Sequence, residues 1–374
     1  MEAIETYSSS EEDVEGGTHQ SLTNFKLANT SENSKEFDRP SKFAKLVDSG
    51  QMLKIGIGNN NHLIQSLAAA VRHVVPSDIL IQQRLSDWNR FENSILLSKF
   101  PELRQRNSIE LFGSWTYGMW TPSSDIDCNI RAPTTIPNFF NRLKTAVMIE
   151  FPGSTVRIVV NCKVPVSKIS LPRALRIDVT HECGHQDDGN THNELVRDWA
   201  SRWKDNKVVC TSFRVVKQWA AANKIHDPLS GSLNSMGYLV MLLAIIGPED
   251  CCDPCCGEFS RECLEKVLNV LLRFFRTYST VGQKKEIIYA PHGVVKREGV
   301  DLDILRLTAD VEDREHRGFG STLFIQDPFL SSTNLGRFVD KYSIKNLRNA
   351  FSKAHEVLQK DSQDPFQNLL KCFN

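Results

Sequence analysis

The stretch LFGSWTYGMWTPSSDIDCNI, residues 111–130, sets Gly113 and Ser114 ahead of two aspartates, Asp125 and Asp127, separated by one apolar residue. Side chains alternate along a strand, so positions two apart project from one face roughly 6.5–7 Å apart. Carboxylates that close repel unless a cation sits between them. A third acid, Asp178 in LRIDVT, stands in the middle of another apolar run, where an unpaired charge is costly. Three strand carboxylates converging on one sheet edge make a hard-oxygen site suited to magnesium, which takes carboxylates, waters and substrate phosphates. Two such ions about 3.5–4 Å apart would clamp the attacking and leaving oxygens of an in-line phosphoryl displacement. Gly113 and Ser114 end the preceding strand at a tight turn, where small residues let backbone N–H groups approach phosphates. Any one of these acids alone reads equally well as a turn residue. Their joint order reads as a site.

The elements that must position these residues can be picked out by period. SIELFG and DIDCNIR read as strands, IPNFFNRLKTAVMIEF as a helix opened by proline, and TVRIVVNC, KVPVSKI and ALRIDVT as three further strands. Together they predict an α+β domain around a mixed sheet at 106–190. Upstream, SDILIQQRLSDWNRFENSILLSKFPEL repeats apolar residues near a 3.6 period, with Ser77 as N-cap. Downstream of QDDGN come amphipathic helices in NELVRDWASRW, VCTSFRVVKQWAAANKI, LNSMGYLVMLLAII and CLEKVLNVLLRFFRTYS, and the chain is helical again near its end. This predicts a mainly helical lobe built from 77–105 with 191–374. Trp199, Trp203, Trp219 and the stripe Leu271, Leu272, Phe274, Phe275 fall at helical spacing and read as core. Residues 1–50 are polar, acidic and poor in large apolar side chains, the composition of a disordered tail.

At 374 residues the chain exceeds the usual single-domain size. Its 45 basic and 45 acidic residues cancel, which argues against a general basic coat and leaves any polyanion contact to a local surface. No apolar run approaches the roughly 20 residues that span a bilayer, and the acid-rich start is the reverse of a signal peptide. The expectation is a cytoplasmic or nuclear protein with no membrane partner. The CCDPCC cluster at 251–256 lacks a second ligand pair at zinc-site spacing, Cys263 being the nearest further cysteine, and reads as reduced thiols. HECGH, residues 181–185, has the spacing of a zinc-protease motif but follows a strand and contains Gly184, whereas that motif works on a helix. GIGNN and GFGS have glycines without the rest of a phosphate-loop fingerprint and read as turns.

LFGSWTYGMWTPSSDIDCNI followed by LRIDVT resembles the catalytic signature of the DNA polymerase β-like nucleotidyltransferases. The segments VVKQWAAANKIHDPLSGSLNSMGYLVMLL, LLRFFRTYS and QDPFLSSTNLGR resemble those of cytoplasmic-type poly(A) polymerases and terminal uridylyltransferases. The resemblance covers about residues 80–350. It implies a nucleotidyltransferase catalytic lobe, a poly(A)-polymerase-associated helical lobe, and template-free addition of AMP or UMP to an RNA 3′ end. Asp125 and Asp127 would hold Mg2+, with Mn2+ as the alternative ion, and Asp178 would complete the site and help activate the 3′-hydroxyl. Gly113, Ser114 and Lys217 would meet the triphosphate, and Asn193 the nucleotide sugar or base.

Three positions depart from the pattern. Ala221 stands where a second triphosphate lysine is frequent. Ser235-Met236 replaces a Ser-Tyr pair whose ring stacks on the base. Thr333 precedes Asn334 where uridylyl-preferring members carry histidine. The departures imply a loose base pocket with a weak preference for ATP over UTP. The partners implied are a nucleoside triphosphate, an RNA 3′ end and an RNA-binding protein that selects the target. A 2′-5′ oligoadenylate-type or small-molecule nucleotidyltransferase is the alternative, disfavoured by the helical motifs. A non-catalytic scaffold is the other, disfavoured by the intact acids.

Overall fold

The structure, a computed structural model, describes residues 61–104, 108–132, 136–160, 164–183, 192–250, 259–281, 286–289, 293–296, 323–329, 334–360 and 364–370. The tail expected at 1–50 and the CCDPCC cluster lie outside the described residues. All five β-rich runs near the acids become strands: β1 (Ile109–Phe112), β2 (Ile126–Ala132), β3 (Thr155–Val159), β4 (Val166–Ser170) and β5 (Arg176–Cys183). They form one sheet in the order β1-β2-β5-β4-β3. β2 and β5 run parallel, and the other neighbours are antiparallel. The α+β class and the mixed sheet are as expected.

The two-residue period decides what each face of the sheet does. Ile126, Cys128 and Ile130 on β2, Ile177 and Val179 on β5, and Ile169 on β4 are buried. Helix α3 (Phe139–Glu150) closes over that face with Phe139, Leu143 and Val147. Each such side chain contributes roughly 1.5–3 kcal/mol by leaving water. The alternate positions, Asp127, Asn129, Asp178 and Thr180, are thereby turned to the other face. HECGH begins on strand β5, which runs through Cys183, so a zinc-protease helix does not form there.

Helix α2 (Asp78–Phe91) begins at Ser77, whose hydroxyl accepts the Leu80 N–H at 3.3 Å, and runs on into a π-helical turn at Glu92–Leu97. The helical period of 77–105 suggests a place in the helical lobe, but the segment packs on the sheet domain. Phe91 lies 6.4 Å from Phe151 and Phe100 lies 5.1 Å from Phe139, ring to ring. A 3.6 period reveals that a helix has a buried face without naming what buries it.

The second core is helical. It gathers α4 (His192–Ser201), α5 (Lys207–Ala222), α6 (Ser235–Leu243), α7 (Arg261–Tyr278), α8 (Ser343–Gln359) and α9 (Pro365–Leu370). A further helix, α1 (Asn61–Val74), joins them through Leu67, Ala70, Val71 and Val74. Trp219 sits at the centre, 4.8 Å from Phe275 and 4.9 Å from Phe351. Leu271, Phe274 and Phe275 are fully buried, while Trp199 and Trp203 pack on this core partly exposed. Helix α6 is apolar all round and buried from Gly237 to Leu243, with Asn234 capping it through the Gly237 N–H at 2.8 Å. A small sheet of order β7-β6-β8 is made by β6 (Glu286–Tyr289), β7 (Gly293–Lys296) and β8 (Phe324–Ile325). Among the described residues no helix is long and apolar enough to cross a membrane.

Candidate active site

Parallel pairing of β2 with β5 sets Asp127 directly beside Asp178. Adjacent strands lie about 4.8 Å apart, so the two carboxylates are neighbours on the polar face. Asp125 precedes the first residue of β2 by one position. Burial first, and the nearby Asp178 second, push the Asp127 carboxyl up to about 7. Asp178 is raised by burial as well, with Lys168 pulling the other way.

Two of the three acids already hold cations of this chain. Lys168 Nζ donates to Asp178 Oδ2 at 2.6 Å, and Arg176 Nε lies 2.6 Å from Asp125 Oδ1. Lys168 is the cross-strand partner of Asp178 on β4, and Arg176 shares its face of β5 two residues away.

Gly113 ends β1 and opens a 3-10 turn, Gly113–Trp115. Its φ of 72° lies in the left-handed region, and a β-carbon there would overlap the Asp127 carboxylate. Glycine therefore serves two purposes, turning the chain and letting the backbone stand against an acid. The loop from this turn to Asp125 is fastened from three sides. Arg84 of α2, 7% exposed, donates to the Ser124 carbonyl at 3.2 Å and to the Pro122 carbonyl at 2.7 Å. Arg176 donates to the Ser123 carbonyl. From α5, Arg214 Nε donates to the Trp120 carbonyl at 3.2 Å and its Nη2 to the Gly118 carbonyl at 2.6 Å.

Lys217, one turn further along α5, reaches the same loop. Its ammonium donates to Ser114 Oγ at 3.1 Å and to Ser124 Oγ at 2.9 Å. Burial lowers its pKa to about 8, against the opposing pull of Asp127. The structure thus brings together Gly113, Ser114, Asp125, Asp127, Asp178 and Lys217.

Ser235 sits at the start of α6, where its hydroxyl meets His226 Nε2 at 2.8 Å. Met236 packs partly buried on the helical core. Asn193 falls in the first turn of α4, and its side chain lies outside the described residues, as does Thr333. The surroundings of His226 were not legible in sequence. Its ring stacks near Tyr238 at 6.2 Å, and burial, with a further push from Lys217, lowers its pKa to about 4. The imidazole is neutral in the fold, whereas in the unfolded chain it takes a proton near pH 6.5. The stability this group contributes is full above about pH 6.5 and is lost as pH falls toward 4. For a partly exposed ring the effect is about 1–3 kcal/mol. His226→Gln should flatten this part of the stability curve, as read by denaturant melts between those two pH values.

Whether a divalent ion suits these residues can be judged from their donors. Asp127 and Asp178 are adjacent like charges, with Asp125, paired to Arg176, beside them. That adjacency calls for a cation. Among the described residues no group of three or more His, Cys, Asp or Glu side chains is arranged to hold a metal ion by itself. Magnesium does not need one, since it binds through one or two carboxylates with waters and substrate phosphates. The residues fit the ion.

No protein-family model matches the sequence. Poly(A) RNA polymerase protein 1 of Eremothecium gossypii is 24% identical over 296 residues, which cover 77% of this chain and 43% of that protein. Its namesake in Saccharomyces cerevisiae is 22% identical over 292 residues, 77% of this chain and 42% of that one. The chain therefore spans less than half the length of these relatives. A Drosophila melanogaster relative named as an inactive non-canonical poly(A) RNA polymerase protein, Trf4-2, is 22% identical over 270 residues, 71% of this chain and 61% of that protein. In structure, a mutant of Cid1 poly(U) polymerase bound to MgATP superposes with a TM-score of 0.59 at 18% identity, covering 83% of this chain and 99% of that one. The chain is thus similar in sequence to poly(A) RNA polymerases and in fold to a poly(U) polymerase, so its resemblance to the DNA polymerase β-like nucleotidyltransferases, of the poly(A) polymerase and terminal uridylyltransferase type, holds on both counts.

Proposed function

We propose that the protein is a template-independent nucleotidyltransferase that adds AMP or UMP to an RNA 3′ end. The observation that carries this reading is the pairing of Asp127 with Asp178 beside the Gly113-Ser114 turn, with the Lys217 ammonium held at that turn. The catalytic lobe runs from α2 to β5, and the helical lobe contributes α5 and α6. Lys217, Ser114 and the turn N–H groups take the triphosphate. Asp125, Asp127 and Asp178 would hold Mg2+, and the ion would supply charge neutralisation for the carboxylates and the reacting phosphates. Asp178 draws the proton from the RNA 3′-hydroxyl. The 3′-oxygen then attacks the α-phosphorus, a new phosphodiester bond forms, the α–β bridging bond breaks and pyrophosphate leaves. Target choice rests on a partner protein, in cytoplasm or nucleus.

Extension of a labelled RNA with each of the four nucleotides and Mg2+ tests the reading. The expected result is growth with ATP and UTP, ATP modestly favoured when both compete. No extension with any nucleotide would overturn it in favour of a non-catalytic scaffold, the reading that the name of the Drosophila relative keeps alive. Lys217→Ala should raise the nucleotide KM about ten- to a hundredfold, the loss of a charge-assisted contact of about 1.5–3 kcal/mol. An unchanged KM and kcat would remove Lys217 from the triphosphate site.

A further inference from the structure

The register that sets Asp127 beside Asp178 continues across the sheet. Asp178 lies opposite Lys168 on β4, and Lys168 lies opposite Arg157 on the edge strand β3. Directly paired residues project to the same face. One row across four strands therefore reads Asp127, Asp178, Lys168, Arg157: two acids, then two bases. The opposite face of β4 is buried at Ser167 and Ile169, so the row belongs to the open side of the sheet.

Like charges directly opposite on antiparallel strands destabilise the pair. Lys168 is matched by Asp178 at 2.6 Å, but the cross-strand neighbour of the exposed Arg157 is Lys168, not an acid. The row thus ends in surplus positive charge about two strand spacings, roughly 10 Å, from Asp178.

In-line displacement adds direction. The attacking oxygen and the leaving group lie on opposite sides of the reacting phosphorus. Lys217 approaches the acids from the β1–β2 loop, through Ser114 and Ser124. With the triphosphate on that side, the attacking strand must come from the other, across β5, β4 and β3. A polyanion entering there meets adjacent carboxylates that repel it unless cations receive its phosphates.

We infer that Arg157 receives a backbone phosphate behind the RNA 3′ end, Lys168 beside it being held by Asp178. This assignment rests on the function proposed above. It makes Arg157 a primer-binding residue that does not touch the nucleotide.

Binding of a fluorescein-labelled oligoadenylate, followed by anisotropy over a series of KCl concentrations, tests it. Loss of one phosphate contact to a single strand makes the slope of log K against log salt shallower by about 0.7. Arg157→Gln should show that change, with affinity down about three- to tenfold and the KM for ATP unchanged, and Arg157→Lys should restore most of the slope. Lys144→Gln on the exposed surface of α3 removes the same charge and should keep the wild-type slope. A wild-type slope and affinity in Arg157→Gln would overturn the assignment while leaving the enzymatic reading intact. If the unaltered protein binds the oligonucleotide through Arg157 but extends it with no nucleotide, the contact stands and the enzymatic reading falls.

Discussion

Asp127→Asn should reduce RNA extension by about a thousandfold or more, equivalent to at least about 4 kcal/mol of barrier, while making the metal-free protein more stable at pH 8. The two effects have one cause. Burial and Asp178 hold the Asp127 carboxyl up at about 7, well above its ordinary range near 4. Between those values the native state keeps a proton that the unfolded chain has released. The associated stability is full below about pH 4 and is lost as pH rises through about 7. At pH 8 the metal-free fold therefore carries an unfavourable charge, and asparagine removes it. The gain is about one to a few kcal/mol, because the side chain keeps some contact with water. Thermal melts in EDTA at pH 5 and pH 8, run beside a gel extension assay, measure both effects. Near wild-type extension, or a mutant less stable than wild type at pH 8, would contradict the placement of this acid.

Gly113→Ala should be the second most damaging single change, although it adds one methyl group. A left-handed backbone costs an alanine about 1–2 kcal/mol. The larger consequence is positional, since the new β-carbon claims the space of the Asp127 carboxylate. Either the carboxylate swings out of line with Asp178 or the turn that presents Ser114 shifts. A displacement of about 1 Å at a reacting centre costs on the order of a hundredfold in rate. The expected result is a kcat lower by about a hundredfold, with oligoadenylate affinity retained and the melting temperature down by a few degrees. A kcat within twofold of wild type would show that Asp127 tolerates the crowding and that Gly113 is there for the turn alone.

The acids and their strands were legible because one periodicity encodes both. Ile126, Cys128 and Ile130 alternate with Asp127 and Asn129, so packing the first set against the helices turns the second to the opposite, polar face. Lys217 was legible only through the resemblance, since a lysine on an amphipathic helix has no sequence mark that separates it from a solvated one. The cations facing the acids were not read at all. Arg176 could have been, because it sits two residues from Asp178 on the same face. Lys168 could not, because its meeting with Asp178 depends on the register of β4 against β5, set by packing and the connecting turn. Helix α1 carried a readable stripe in Leu67, Ala70, Val71 and Val74 that went unused. The packing of 77–105 on the sheet was not legible for a different reason, namely that Arg84, a charged residue on a helix, is buried by carbonyls of a loop some forty residues away.

The parallel pairing of β2 with β5 also sets an order of events during folding. Asn129 and Thr180, which share a hydrogen bond beside the acid pair, are 51 residues apart in the chain. A parallel pair cannot form through a hairpin, so β2 and β5 pair across a connection that contains α3, β3 and β4. Contacts of such long range form late and slowly, because loop closure precedes their reward. Asp127 and Asp178 therefore meet only when that long connection has closed, and their repulsion opposes its closure. A divalent ion should slow unfolding of the finished sheet, as read by unfolding rates with and without Mg2+, so that the acids act as a closing latch once the strands are in register.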